Sequence, residues 1–208
     1  LGWRDRDRAS AMTKPLRLLL IASSLWYLSE GLLGPLFAIF SERIGGDLLD
    51  ITSAWAVYLI ASGIAYVIVG RLLNRSRWKF RMIAVGYALN TIFTFSYLLV
   101  HNTTALFLVQ IGLGIAEAIA TPAWDAFYAS RLADTEDTFA WGLASGHTQF
   151  ISGVAIAIGG LIAKYLSFNA LFVLMGCISL VATIVQGRLS WMEERSGDAP
   201  PPPAPLPR

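Results

Sequence analysis

The sequence predicts an all-α membrane protein built from six transmembrane helices. Three observations lead there. Hydrophobic residues make up 55% of the 208 and charged residues only 14%, with seven Trp and seven Tyr. A soluble domain of this length has too little polar surface to cover so much apolar area. The charges cluster, and they leave six apolar windows of about 20 residues, the length that crosses ~30 Å of hydrocarbon. The windows lack strict alternation, which favours helices over barrel strands.

The windows fall near 17–40, 52–73, 81–100, 105–128, 142–164 and 168–190. Before them, 1–14 reads as a polar tail, and Met12 fits a start site. The first window is long and has no small-residue cleavage site, so it reads as a span and not as a signal peptide. After the spans, 193–208 reads as a disordered tail, carrying the run Ala199-Pro200-Pro201-Pro202-Pro203. The connections Ser41–Asp50, Asn74–Lys79, His101–Thr104, Ser130–Thr138 and Tyr165–Ser167 are short. Successive spans therefore pack antiparallel, and any chemistry takes place inside the bundle.

The basic residues predict the orientation. An even number of spans puts both termini on one side. That side carries Arg4, Arg6, Arg8, Lys14, Arg17, Arg71, Arg75, Arg77, Lys79, Arg81, Arg131, Arg188, Arg195 and Arg208, whereas the other has Arg43 and Lys164. Such a bias marks the cytoplasmic side, so both termini are expected there. The net charge of +2 then reflects topology and gives no argument for nucleic acid.

Within the spans the polar residues form stripes. Ser23, Tyr27, Glu30 and Gly34 recur at helical spacing in the first. Tyr87, Asn90, Thr94 and Tyr97 do so in the third, and Gln110, Gly114, Glu117, Thr121, Asp125 and Tyr128 in the fourth. The fifth has a small-residue stripe, Gly146, Gly153, Ala157 and Gly160, expected to pack against a neighbouring helix. Glu30 and Glu117 stand out. A carboxylate at bilayer depth costs about 2.5–3.5 kcal/mol or more, so it faces protein or water and usually has a task. Each is followed five residues later by a proline, Pro35 and Pro122, which are hinge candidates. Trp26, Tyr27, Asn90, Gln110, Thr121 and Gln149 are candidate solute contacts. His147 is a candidate proton relay.

Other chemistry finds no support. Cys177 is the single cysteine, and the two histidines, His101 and His147, lie on opposite sides, so no metal site or cofactor is expected. Ser145-Gly146-His147 does not match the G-x-S-G nucleophile of rhomboid proteases, and the sixth span has no histidine. The chain is read as no enzyme.

The pattern resembles the major facilitator superfamily of secondary transporters, matching one six-helix half over roughly 15–192. Gly70-Arg71-Leu72-Leu73-Asn74-Arg75-Ser76-Arg77-Trp78-Lys79 is similar to that family's loop signature G-x-x-x-D-R-x-G-R-R, with Asn74, Arg77 and Trp78 as departures. Gly112-Leu113-Gly114, Thr121-Pro122-Ala123 and Trp141-Gly142 resemble its fourth-helix pattern, with Leu108 where the family has arginine. Gly159-Gly160 resembles the end of its antiporter signature, although Ala155-Ile156 replace Gly-Pro. The resemblance implies that the first and fourth helices line a central cavity, bringing Glu30 and Glu117 together, while the third and sixth lie outside. It also implies a cytoplasmic gate of Gly70, Asn74, Arg75, Arg77 and Asp125, in which Asp125 pairs with Arg75 or Arg77.

The function expected is proton-coupled transport of a small solute across a prokaryotic plasma membrane. Full members have twelve spans, so six would work as a homo- or heterodimer. The alternative is a non-transporting membrane subunit or a fragment of a twelve-helix transporter.

Overall fold

The computed structural model describes residues 14–73, 79–131 and 137–196. These form α1 (Lys14–Leu33), α2 (Leu36–Arg43), α3 (Leu48–Leu73), α4 (Lys79–Ser96), a 3₁₀ turn (Tyr97–Leu99), α5 (Thr103–Ser130), α6 (Asp137–Tyr165) and α7 (Phe168–Ser196). Six of the helices, all but α2, are long and apolar enough to cross a membrane. The predicted fold class therefore holds among the described residues, with one refinement. The first window is two helices, because Pro35 has no N–H to continue α1, and the chain restarts as α2. Pro122 has no such effect, and α5 runs through it unbroken.

Local chemistry sets the boundaries. α2 ends in a Schellman turn, with Gly45 N–H on Glu42 O at 3.0 Å and Gly46 N–H on Ser41 O at 2.9 Å. The turn needs φ +89° at Gly45, a region closed to most side chains. Asp47 and Asp50 then cap α3 reciprocally, each carboxylate accepting the other's backbone N–H at 2.9 and 3.1 Å. Asn102 caps α5 through Ala105 N–H at 2.8 Å, and Ser167 caps α7 through Ala170 N–H at 3.1 Å.

The helices pack in the lateral order α6–α1–α7–α4–α5–α3. Exchanging each span with the one three further along (α1 with α5, α3 with α6, α4 with α7) leaves that order unchanged apart from its direction. Three spans reverse the chain direction, so the bundle is an inverted repeat of three helices. One apolar core, around Leu19, Ile83, Phe127 and Leu189, fills the end where α1 begins and α7 finishes, here the near end. A second, around Phe40, Leu106, Leu171 and Phe172, fills the far end. Buried polar residues, among them Asn90, Thr91 and Ser179, lie at the waist between them.

Glycines set the closest approaches. A Cβ on Gly31 would lie 2.8 Å from Ala155 Cβ, and one on Gly159 would collide with the Leu32 carbonyl. The fifth span therefore packs through Ser152, Ala155 and Gly159. This corrects the expectation for Gly146, Gly153 and Gly160, each of which has open space where a side chain would be. Together with exposed Ala157 they face away from α1. The spans α3 and α6 end the lateral order, and only 11% of each spanning window is buried, against 39% or more in the other four.

Candidate functional site

The predicted stripes of α1, α4 and α5 converge on two clefts. The near-end cleft is lined by Ser23, Trp26 and Tyr27 of α1, Tyr87 of α4, and Glu117, Thr121, Trp124 and Asp125 of α5. The far-end cleft is the larger of the two. Its walls include Glu30 and Phe37, Trp55 and Tyr58 of α3, Thr94 and Tyr97, and Gln110 of α5. One carboxyl of the predicted pair thus faces each cleft. The third span, expected outside, supplies residues to both, because α1 and α5 are spaced widely enough for α4 to show between them.

Glu30 is held by a relay of hydroxyls. Asn90 is 1% exposed and donates from Nδ2 to Glu30 Oε1 at 3.1 Å. Its Oδ1 accepts from Thr94 Oγ1 at 3.2 Å and from Ser179 Oγ at 3.1 Å. Thr91 bridges Ser179 and Thr183 at 2.8 Å each. With two hydroxyls donating to its oxygen, the Asn90 amide has one orientation, NH₂ toward the carboxylate. α7, which carries no predicted site residue, fixes this geometry from behind.

Glu117 has a different partner. Tyr58 donates its phenol hydrogen to Glu117 Oε2 at 2.5 Å. Tyr58 belongs to the far-end cleft and Glu117 to the near-end cleft, so this bond forms part of the partition between them. Tyr66, two turns along α3, also reaches Glu117 and Thr121. The approach is close because Gly114 leaves α3 and α5 in backbone contact, a Cβ there lying 2.7 Å from Tyr58 O. Neither tyrosine was singled out in the sequence. Their spacing of eight residues on a strongly apolar span was the available signal.

The remaining candidates divide. Trp26 packs on Tyr87 with ring centroids 4.5 Å apart, and Tyr27 is beside it in the near-end cleft. Gln110 is buried and accepts from Tyr97 O–H at 3.0 Å. His147 lies elsewhere, with Nε2 3.0 Å from Ser24 Oγ. Since the Ser24 hydroxyl donates to Leu20 O at 2.5 Å, Nε2–H is the donor to it, tying α6 to α1. Gln149 is exposed and lines neither cleft. Gly70 is exposed with open space around it. Asn74, Arg75 and Arg77 lie outside the described residues, and Asp125 has no ion pair among the described ones. Two ion pairs do close the near end. Arg131 bonds Glu193, which is 5% exposed, and Arg81 bonds Glu194 in the open. Both attach the last turns of α7, from α5 and α4 respectively.

Among the described residues no basic side chain lines either cleft, and no group of His, Cys, Asp and Glu could hold a metal ion. The arrangement can exchange protons or cations with the two carboxyls.

Known proteins agree with this architecture. The Major Facilitator Superfamily model matches residues 19–207. Similar curated proteins include the proton-coupled antiporter flippase LtaA of Staphylococcus haemolyticus, 26% identical over 74% of this chain and 39% of that protein. The LtaA proteins of Staphylococcus saprophyticus, 24% identical over 74% and 39%, and of Staphylococcus aureus strain USA300, 25% identical over 74% and 40%, are further examples. The chain spans about two fifths of the length of these relatives. Six apolar spans and this kinship make it a multi-pass integral membrane protein, and the bacterial relatives place that membrane as the plasma membrane. The chain belongs to the Major Facilitator Superfamily.

Proposed function

We propose that this chain forms one half of a proton-coupled secondary transporter for a small solute, with its near end cytoplasmic. It acts by transport and not by covalent chemistry. The observation that carries the reading is the pair of intramembrane carboxyls on either side of one partition, Glu30 in the far-end cleft and Glu117 in the near-end cleft. With no basic side chain lining either cleft among the described residues, protons or a cationic solute are the natural charge partners. A carboxyl so placed takes a proton from one side and releases it to the other when the clefts open alternately. The names of the staphylococcal relatives support proton coupling and, with it, antiport.

A second six-span unit completes the transporter. It covers the exposed faces of α3 and α6, the small-residue stripe of α6 included, and closes the open sides of both clefts. A second copy of this chain or a separate partner fills that role. The cytoplasmic gate combines the loop signature around Arg75 and Arg77 with Asp125, and Pro35 serves as the hinge at the far end of α1.

Proteoliposomes loaded with a pH-sensitive dye test the proton role. A pH gradient is imposed and candidate solutes are added outside. Any solute that moves protons through the unmodified protein is expected to fail with the Glu30→Gln, Glu117→Gln double variant. Equal proton movement in the double variant would sink the reading.

A further inference from the structure

We propose that the far-end cleft is a binding site for a monovalent organic cation, with Glu30 as counter-ion and the rings of Phe37, Trp55 and Tyr58 as its walls. The inference rests on the transporter reading above and names the solute class for one of its clefts.

The chemistry of the walls selects the ligand. Trp55 and Tyr58, one turn apart on α3, stack with centroids 5.4 Å apart and planes 28° apart. Phe37, from α2, meets Trp55 at 6.2 Å and 57°. Three rings from two helices thus stand on the same cleft as one carboxyl. Aromatic faces attract cations through their negative quadrupole, most strongly when water is excluded, and such cages are used for quaternary ammonium groups. Glu30 accepts hydrogen bonds from the Asn90 amide and the Trp26 indole, which orient it and bring no counter-charge.

A polyol fits less well. Its hydroxyls would compete with hydrogen bonds that this cleft already makes. Gln110 Oε1 is taken by Tyr97, and the Thr94 hydroxyl is taken by Asn90. An anion would meet a carboxylate and, among the described residues, no basic side chain. The rings and the carboxyl are the features of this cleft that suit a cation. The near-end cleft differs, with two carboxyls, Glu117 and Asp125, and the Thr121 hydroxyl.

The test uses the full chain in lipid nanodiscs, with empty nanodiscs as background. Tetraphenylphosphonium and tetraphenylborate are the probes, because they share a shape and differ in sign of charge. Saturable binding of the phosphonium and none of the borate is expected. Glu30→Gln should weaken phosphonium binding by about tenfold or more, the loss of one desolvated charge contact. Trp55→Leu should weaken it several-fold, and Trp55→Phe, which keeps a ring, should restore most of that loss. Trp191→Leu, on an exposed residue at the other end of the bundle, should change nothing. The proposal is overturned if both probes bind alike, if no saturable binding occurs, or if Glu30→Gln or Trp55→Leu binds as the unmodified chain does. Failure here, with proton movement still lost in the double glutamine variant, removes the cation and leaves the transporter reading standing.

Discussion

Replacing Gly114 by alanine should push α3 off α5 and loosen the partition between the clefts. The Cβ would lie 2.7 Å from the Tyr58 carbonyl oxygen and 3.1 Å from the Ser62 nitrogen, where ordinary contact begins at 3.4 Å. Both obstacles are backbone, so α3 must move by 3.4 − 2.7 = 0.7 Å. The Tyr58 side chain moves with it, and its 2.5 Å bond to Glu117 stretches toward 2.5 + 0.7 = 3.2 Å. That exceeds the 2.5–3.0 Å range of a good O–H···O bond. Overpacking of this kind costs about 1–3 kcal/mol. Gly146→Ala is the reference, because a Cβ there meets nothing within 4 Å. Alanine gains roughly 1 kcal/mol of helix propensity in both variants, so their difference isolates packing. Unfolding by denaturing detergent in mixed micelles, followed by tryptophan fluorescence, should show Gly114→Ala about 2 kcal/mol less stable than Gly146→Ala. Equal stability would refute the close approach of α3 and α5.

Asn90→Leu removes three interhelical or intrahelical side-chain bonds at the waist; at about 0.6 kcal/mol each in a membrane, it should cost roughly 2 kcal/mol in the same unfolding assay. Tyr58→Phe removes the donor to Glu117, and its effect on gradient-driven proton movement should be much smaller when Gly114→Ala has already stretched that bond, which a double-mutant cycle measures. Arg131→Ala removes an ion pair to a carboxylate only 5% exposed and should destabilise the chain measurably more than Arg81→Ala, which removes an exposed pair. If a second copy covers α3 and α6, light scattering in mild detergent should report a dimer, and a bulky residue at exposed Gly153 should dissociate it; a strict monomer would remove the homodimer form of the proposal.

Hydropathy and charge placed every span, because a bilayer imposes one length and one polarity on each. Helical periodicity gathered Tyr27, Glu30, Asn90, Gln110 and Glu117 onto faces that the structure turns toward two clefts. Periodicity alone has no information on which faces meet. The small stripe of α6 was therefore read as an internal packing surface, whereas Ala155 and Gly159, one face away, make that contact. The tyrosines of α3 were missed for a related reason. Tyr58 and Tyr66 sit among isoleucine, valine and alanine on the most apolar-looking side of the chain, and only the order α4–α5–α3 brings them to Glu117. The ion pair of Glu193 with Arg131 likewise joins residues 62 positions apart, which no local pattern links.

The central claim is that Glu30 and Glu117 take up protons inside the membrane. The most direct measurement is pH-step difference infrared spectroscopy on the full chain in nanodiscs, reading the carbonyl stretch of protonated carboxyls. The account predicts a band that grows on acidification, shrinks in Glu30→Gln and in Glu117→Gln, and shrinks further in the double variant. A difference spectrum unchanged in the double variant would contradict it.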